Sequence, residues 1–137
     1  MYNYTDSVSF GGFKEVNDLS EQERENWYIV NVSKQSRDDS DVHISLNDGI
    51  YDGGNSQEAF AEAVNAVRKA IRRDKNVFVH CAIGQSRSVS VLATAVSAES
   101  DESFETILEQ IVDIRGSFTE PASSLKSKAE VYLRHTS

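Results

Sequence analysis

One short segment, residues 80–88, combines the residue types that phosphate chemistry requires. Its sequence is His-Cys-Ala-Ile-Gly-Gln-Ser-Arg-Ser, and it contains the only cysteine of the chain. The apolar residues 77–80 predict a buried strand that leads into it, and the residues after it predict a helix. Backbone N–H groups at such a helix start are unpaired and carry partial positive charge. The segment therefore predicts a loop that binds a tetrahedral anion such as phosphate.

Within this loop, each residue type suits a different task. Cys81 faces the positive field, which favours the thiolate, the nucleophilic form of the side chain. Gly84 permits a backbone turn that a Cβ would obstruct, and Arg87 can donate two parallel hydrogen bonds to phosphate oxygens. Gln85 and Ser86 are expected to act through their backbone N–H groups rather than their side chains. The predicted phosphate site comprises Ala82, Ile83, Gly84, Gln85, Ser86 and Arg87.

Two polar residues lie next to Cys81 and Arg87 in the sequence. Ser88 is expected to donate a hydrogen bond to the thiolate and so ease its departure in a second chemical step, although capping the helix is an equally ordinary role for a serine. His80 is expected to fix the backbone of Cys81 or to tune its charge, and a purely structural histidine is the alternative. The sequence leaves both pairs of interpretations open.

The leaving oxygen of a phosphate ester needs a proton, which a positioned carboxylic acid can supply before it activates water. Two aspartates, Asp48 and Asp52, lie in the turn-rich segment 47–55. Asp48 directly follows a predicted strand, so its position is the better defined, and we expect it to be the general acid. Asp52 is the alternative general acid, and a simple turn residue is the competing interpretation of Asp48.

The elements that must position these residues follow from the apolar pattern. Aromatic and β-branched residues predict a strand over 27–32, and alternation predicts another over 42–46. Asn55, with Glu58 three residues later, predicts a capped helix start. The helix continues through apolar residues at helical spacing, namely Phe60, Val64, Val67 and Ile71.

Further helices are predicted over about 88–98, 103–114 and 122–133. The second of these ends at Gly116, a residue typical of helix ends. Strands, a helix, the central strand 77–80 and then several helices together predict an α/β domain.

The loop sequence resembles that of a known family. Cys81, five residues and Arg87 match the Cys-x5-Arg signature of the protein tyrosine phosphatase superfamily, and HCAIGQSRS is similar to the loop of dual-specificity phosphatases. Residues 29–32 and 45–48 resemble the family's early strand and the strand end that delivers its general acid. The segment from Arg115 through Pro121 resembles the one before its last helix.

This resemblance covers roughly residues 8–133. It implies a protein tyrosine phosphatase-like fold, a small twisted mixed sheet of four to five strands flanked by helices, with no metal and no cofactor. It also implies a protein phosphatase that hydrolyses phosphotyrosine, and in the broader case phosphoserine and phosphothreonine, through a phosphocysteine intermediate. The expected partner is therefore a phosphoprotein substrate.

Two other functions compete with this one. The first is a phosphatase for a non-protein monoester, such as a phosphoinositide, an RNA 5′-phosphate or a metabolite. It is disfavoured because the loop lacks the lysines that highly charged substrates would want. The second is a phosphate-binding module without turnover, which the presence of both Cys81 and Arg87 argues against.

The composition bounds the remaining possibilities. A chain of 137 residues predicts one catalytic domain over 1–137. Its net charge of −8 disfavours nucleic acid and anionic membranes as partners. The N-terminus lacks the features of a signal peptide, and no apolar run has the length of a membrane span. A single cysteine fits a reducing compartment, so we expect a cytoplasmic protein that is monomeric by default.

Overall fold

The structure is a computed structural model that describes residues 1–47, 55–116 and 119–136. In this part of the chain five strands form one sheet: β1 (Tyr2–Asn3), β2 (Val8–Gly11), β3 (Tyr28–Asn31), β4 (Val42–His43) and β5 (Val77–His80). Their order across the sheet is β1-β2-β5-β3-β4. β1 is antiparallel to β2, and the other neighbours are parallel. The predicted mixed sheet, with residues 77–80 as its central strand, is confirmed.

Helices lie on both faces of the sheet. In chain order they are α1 (Phe13–Asn17), α2 (Glu21–Asn26), α3 (Gln57–Arg72), α4 (Arg87–Ala98), α5 (Phe104–Arg115) and α6 (Ser123–Thr136). The sequence predicted α3 to α6 to within three residues at each end that it specified, and it did not predict β1, β2, α1 or α2.

The alternation of β5 divides the core between the two faces. Val77 and Val79 belong to the large cluster shared with α3, α4, α5 and α6, whereas Phe78 packs in a smaller cluster with Val16 and Ile29. Successive side chains of a strand point to opposite faces, so one strand supplies both clusters. The end of β5 is therefore held from both sides, and this is where the predicted loop begins.

Helix α4 is the most deeply buried helix of the fold. It packs against α3, α5 and α6 and against β2 and β5. Its residues are small or apolar on nearly every side, which is typical of a helix enclosed by protein. The buried apolar members are Val89, Val91, Leu92, Ala93 and Ala95. Because α4 follows the loop directly, the loop is anchored in the core at both ends.

The start of α3 differs from the prediction. Ser56, not Asn55, is the N-cap, and its Oγ accepts a hydrogen bond from the N–H of Ala59 at 3.0 Å. The predicted capping box with Glu58 is therefore wrong. Asn55 instead pairs with the backbone of Asn47: its Oδ1 lies 2.6 Å from that N–H, and its Nδ2 lies 3.0 Å from that carbonyl. Both residue types are good caps, but only the amide can bridge an N–H and a C=O at once.

Strand β4 is shorter than the predicted strand over 42–46. The chain nevertheless stays beside the sheet, because the N–H groups of Ile44 and Leu46 donate to carbonyl groups of Asn31 and Val32 at 3.0 and 3.3 Å. Leu46 is fully buried. Within the described residues, no helix combines the length and the apolar character needed to span a membrane.

Candidate active site

The predicted reactive residues lie at the carboxyl end of the central strand. Cys81 directly follows β5, and Arg87 is the first residue of α4. In sheets of this type, the crevice beyond the carboxyl ends of parallel strands is the usual place for a ligand site. The segment 81–86 is therefore a loop between a strand end and a helix N-terminus, as its sequence predicted.

The sulfur of Cys81 has two polar neighbours. The N–H of Gly84 donates to Sγ at 3.2 Å, and the hydroxyl of Ser88 lies 3.3 Å from Sγ. Cys81 is 2% exposed, so these contacts lie in a largely water-free setting. Donors at these positions stabilise negative charge on sulfur.

Ser88 is the second residue of α4, so its predicted alternative role as a helix cap is wrong. Its side chain is fully buried, and it also lies 3.4 Å from the carbonyl oxygen of Gly11. A hydroxyl has one proton to donate. The hydroxyl can therefore donate its hydrogen bond either to the carbonyl of Gly11 or to the sulfur of Cys81. It donates to the sulfur when the sulfur is negative.

Gly84 is required at the turn of the loop for two reasons. Its φ is +79°, a left-handed conformation that residues with a Cβ rarely adopt. A Cβ at this position would also lie 2.7 Å from the carbonyl carbon of Gly11. The backbone of the loop thus packs directly against the end of β2.

The sequence analysis missed this supporting segment, Gly11–Phe13. The N–H of Cys81 donates to the carbonyl of Gly11 at 3.2 Å, and the N–H of Phe13 donates to the carbonyl of Ala82 at 2.8 Å. A Cβ on Gly12 would lie 2.5 Å from that same carbonyl oxygen. The feature of the sequence that could have revealed this segment is the pair Gly11-Gly12 after a largely apolar run, because glycines at such a position allow another part of the backbone to approach closely.

Arg87 connects the loop to the strand end that precedes the predicted general acids. Its Nη1 donates to the carbonyl of Leu46 at 3.2 Å. A guanidinium group carries five N–H donors, so this contact fixes its direction without using its full capacity. Asp48 and Asp52, the predicted and alternative general acids, lie outside the described residues.

The ring of His80 contacts the backbone of Cys81 rather than its sulfur. Its Nδ1 is 3.3 Å from the carbonyl oxygen of Cys81, and its ring packs near those of Phe13 and Phe78. Burial lowers the pKa of His80 to about 4, so the ring is neutral at neutral pH. Nδ1 then carries the proton and donates the hydrogen bond to the carbonyl, while Nε2 is buried without a partner among the described residues. The expected role in fixing the cysteine backbone agrees with this contact.

Two side chains hold the opposite side of the loop. The hydroxyl of Ser86 accepts a hydrogen bond from the N–H of Ala122 at 2.9 Å. This side-chain contact holds the loop, and the binding of phosphate through the backbone N–H of Ser86 stays a prediction. Nη2 of Arg115 donates to the carbonyl of Ile83 at 3.1 Å, and its guanidinium carbon lies 5.5 Å from the ring centre of Tyr2.

These contacts bring a buried thiol, a hydroxyl, a guanidinium group and a helix N-terminus together at one strand–helix junction. Such an arrangement suits nucleophilic attack on a bound oxyanion. Among the described residues there is no group of three or more His, Cys, Asp or Glu side chains that could hold a metal ion.

Comparisons with known proteins agree on one family. Residues 4–127 match the family model described as "Dual specificity phosphatase, catalytic domain". The chain is 26% identical over 141 residues to the dual specificity protein phosphatase OPG106 of Vaccinia virus (strain Western Reserve), a match covering 97% of this chain and 82% of that protein. The same protein of Monkeypox virus is 25% identical, with the same coverage.

The fold is also similar to solved structures. Human DUSP28 superposes with a TM-score of 0.82 at 17% identity, over 98% of this chain and 96% of that one. A mouse putative dual specificity phosphatase, complexed with zinc tungstate, has a TM-score of 0.80 at 16% identity, over 98% of this chain and 86% of that one. These likenesses establish the fold.

Proposed function

The chain belongs to the dual specificity phosphatase family and is a cysteine-dependent phosphatase, and from this premise we propose that it dephosphorylates proteins through a phosphocysteine intermediate. The observation that carries the proposal is the surroundings of Cys81. Its sulfur accepts from the N–H of Gly84 and lies 3.3 Å from Oγ of Ser88, the second residue of the buried helix α4. A thiolate is the nucleophile that such surroundings favour.

In the first step, the thiolate of Cys81 attacks the phosphorus of a bound monoester. An S–P bond forms as the bond from phosphorus to the ester oxygen breaks, and Asp48 gives that oxygen its proton. Arg87 and the backbone N–H groups of the loop hold the non-bridging oxygens. Asp52 is the alternative donor.

In the second step, water attacks the phosphocysteine. The carboxylate left by the first step takes a proton from the water, the S–P bond breaks, and inorganic phosphate forms. The sulfur leaves as a thiolate, which the Ser88 hydroxyl and the Gly84 N–H stabilise. The two contacts seen on the sulfur thus serve both its attack and its departure.

Proteins are the substrate class that the family and the loop favour together. The viral relatives are named protein phosphatases, and the loop residues 82–86 carry no charge. A polyanionic substrate would gain from lysines at these positions. We propose phosphotyrosine as one substrate, with phosphoserine and phosphothreonine accepted as well.

The test is hydrolysis of para-nitrophenyl phosphate and of matched phosphotyrosine, phosphoserine and phosphothreonine peptides, without added metal. Cys81→Ser should lower kcat by about 10³-fold or more, because an alcohol is a far weaker nucleophile at neutral pH than a thiolate. Acid quenching of the wild type should trap a phosphorylated peptide containing Cys81, detectable by mass spectrometry. A Cys81→Ser variant that keeps wild-type turnover would contradict the mechanism.

The general acid is tested by a matched pair of variants. Asp48→Asn should remove the fall in activity at high pH, because that fall reports loss of the acid's proton. Asp52→Asn should keep the wild-type pH profile. The reverse result would assign the role to Asp52.

A further inference from the structure

The catalytic loop carries an exposed aliphatic side chain. Ile83 is 62% exposed, and the other exposed large apolar side chain among the described residues is that of Ile114, at 40%. Single exposed apolar residues are ordinary on protein surfaces, so exposure alone indicates nothing. The position of Ile83 does indicate a contact with substrate, because the residue is two positions after Cys81, at the rim of the phosphate site.

The backbone around Ile83 is fixed in a way that keeps its side chain outside. Its carbonyl accepts a hydrogen bond from Arg115 at 3.1 Å, and the next N–H, that of Gly84, donates to the sulfur of Cys81 at 3.2 Å. Beneath the loop, even a Cβ on Gly12 would lie 2.6 Å from the carbonyl carbon of Ile83. The loop therefore cannot turn to bury this side chain without breaking contacts that hold the sulfur.

A rigid, exposed isoleucine is preorganised to pack against an apolar group of another molecule. The β-branched side chain has few rotamers to lose when it is covered, and its fixed backbone reduces the ordering cost further. The neighbouring loop residues Ala82, Gln85 and Ser86 are uncharged. An aliphatic group fits against Ile83 better than a polar one, since a polar group covered by this side chain would lose hydration without gaining a hydrogen bond from it.

We propose that Ile83 is a specificity residue that favours substrates with an aliphatic side chain next to the phosphorylated residue. The inference rests on the proposed function. Once the loop holds the phosphate, the main chain of a protein substrate must run along its rim. Consecutive residues of an extended chain advance by about 3.3 Å each, so the direct neighbour of the phosphorylated residue lies within reach of Ile83.

The experiment compares kcat/KM for phosphotyrosine peptides that carry leucine on both sides of the phosphorylated residue with peptides that carry serine there. The wild type should prefer the leucine peptide by about 5- to 10-fold, the effect of partly burying two aliphatic side chains against each other. The ratio should fall to within about twofold in Ile83→Ser and persist in Ile83→Val. Taking the ratio cancels any change that the substitution causes in the chemical step.

Ile114→Ser is the matched control, because it removes an exposed isoleucine that lies outside the loop, and it should keep the wild-type ratio. Equal rates on both peptides, with para-nitrophenyl phosphate still hydrolysed, would overturn the role of Ile83 and leave the proposed chemistry intact. Loss of the preference in Ile114→Ser, or a preference that varies with enzyme concentration, would also overturn it. Failure to hydrolyse either kind of substrate would instead mean that the proposed function is wrong.

Discussion

The catalytic loop is held on two sides by different means. On the glycine side, defined as Gly11–Phe13, the contacts are backbone to backbone, and a single added carbon on Gly12 would lie 2.5 Å from the carbonyl oxygen of Ala82. On the arginine side, defined as Arg115 and Ala122, the contacts are side-chain hydrogen bonds to Ile83 and Ser86. The first side has no spare room, whereas the second can adjust by rotation of a side chain.

This difference has a consequence for function. Catalytic geometry tolerates errors of only fractions of an ångström, and close-packed backbone supplies that precision without relying on side-chain rotamers. Side-chain hydrogen bonds add stability to the loop, but water can replace part of each one. We therefore expect damage on the glycine side to cost more than damage on the arginine side.

The largest effect is expected in the dependence of stability on pH, through His80, whose ring packs near that of Phe13 on the glycine side. Burial lowers its pKa from 6.5 to about 4, so the folded chain binds fewer protons than the unfolded chain between these values. The contribution of His80 to the free energy of unfolding is therefore fully present above pH 6.5. It is lost as pH falls to about 4, and the free energy of unfolding decreases by about 3 kcal/mol in total. Urea unfolding at a series of pH values measures it.

The variant His80→Asn removes this titration and should flatten the stability profile between pH 6.5 and 4, whatever its stability at neutral pH. His135→Asn is the control, because His135 is exposed near the end of α6, and its profile should follow the wild type. Parallel profiles for the wild type and His80→Asn would show that His80 is not buried in its neutral form.

The next largest effect is expected from Gly12→Ala. Its φ of −119° suits alanine, so the substitution introduces a clash without backbone strain. The loop must move to relieve the clash, and a shift of about 1 Å in a catalytic group can lower kcat/KM by about 10²-fold. Hydrolysis of para-nitrophenyl phosphate measures it.

Gly116→Ala provides the opposite case as a control. Gly116 has a φ of +123°, and a Cβ there would meet nothing within 4 Å. The change should lower the melting temperature through strain of about 1–3 kcal/mol while kcat/KM stays within about twofold of the wild type. If the two variants lose activity equally, the close packing of the glycine side does not position the loop.

The central strand and the loop could be predicted because their signals are local. Val77–His80 is a short apolar run, and the loop shows its chemistry in consecutive residues. The glycine side could not be predicted in this way. Val8–Gly11 is a strand because it pairs in parallel with β5, which lies far along the chain. Periodicity does not reveal such pairings.

The cap of α3 was misassigned for a different reason. Asn55 and Ser56 are adjacent and both favour the N-cap position. The choice between them depends on Asn47, whose backbone Asn55 holds from eight residues away. That contact forms only once the chain has folded beside β3, so no local pattern contains it.

A smaller effect is expected from Ser88→Ala, which removes the hydroxyl shared between the sulfur and Gly11. The thiolate should leave the phosphocysteine more slowly, by about 10-fold, because one donor is lost from the leaving group. Rapid-quench kinetics should then show a burst of product and accumulated phosphocysteine. Ser90→Ala, which removes a buried hydroxyl bonded to the carbonyl of Ser86 at 2.7 Å, is the control, and the same burst in that variant would contradict the role of Ser88.

The smallest effect is expected on the arginine side, from Arg115→Ala. The lost hydrogen bond to the Ile83 carbonyl is charge-assisted but open to water, so we expect a loss of about fivefold in kcat/KM, or about 1 kcal/mol. Arg115→Lys should recover part of the loss, since an ammonium group also donates. Arg134→Ala, which removes an exposed arginine paired with Glu130 at 2.9 Å, should change kcat/KM by less than twofold. A loss in Arg115→Ala as large as that in Gly12→Ala would mean that both sides position the sulfur equally, because a side chain free to adjust would then matter as much as packed backbone.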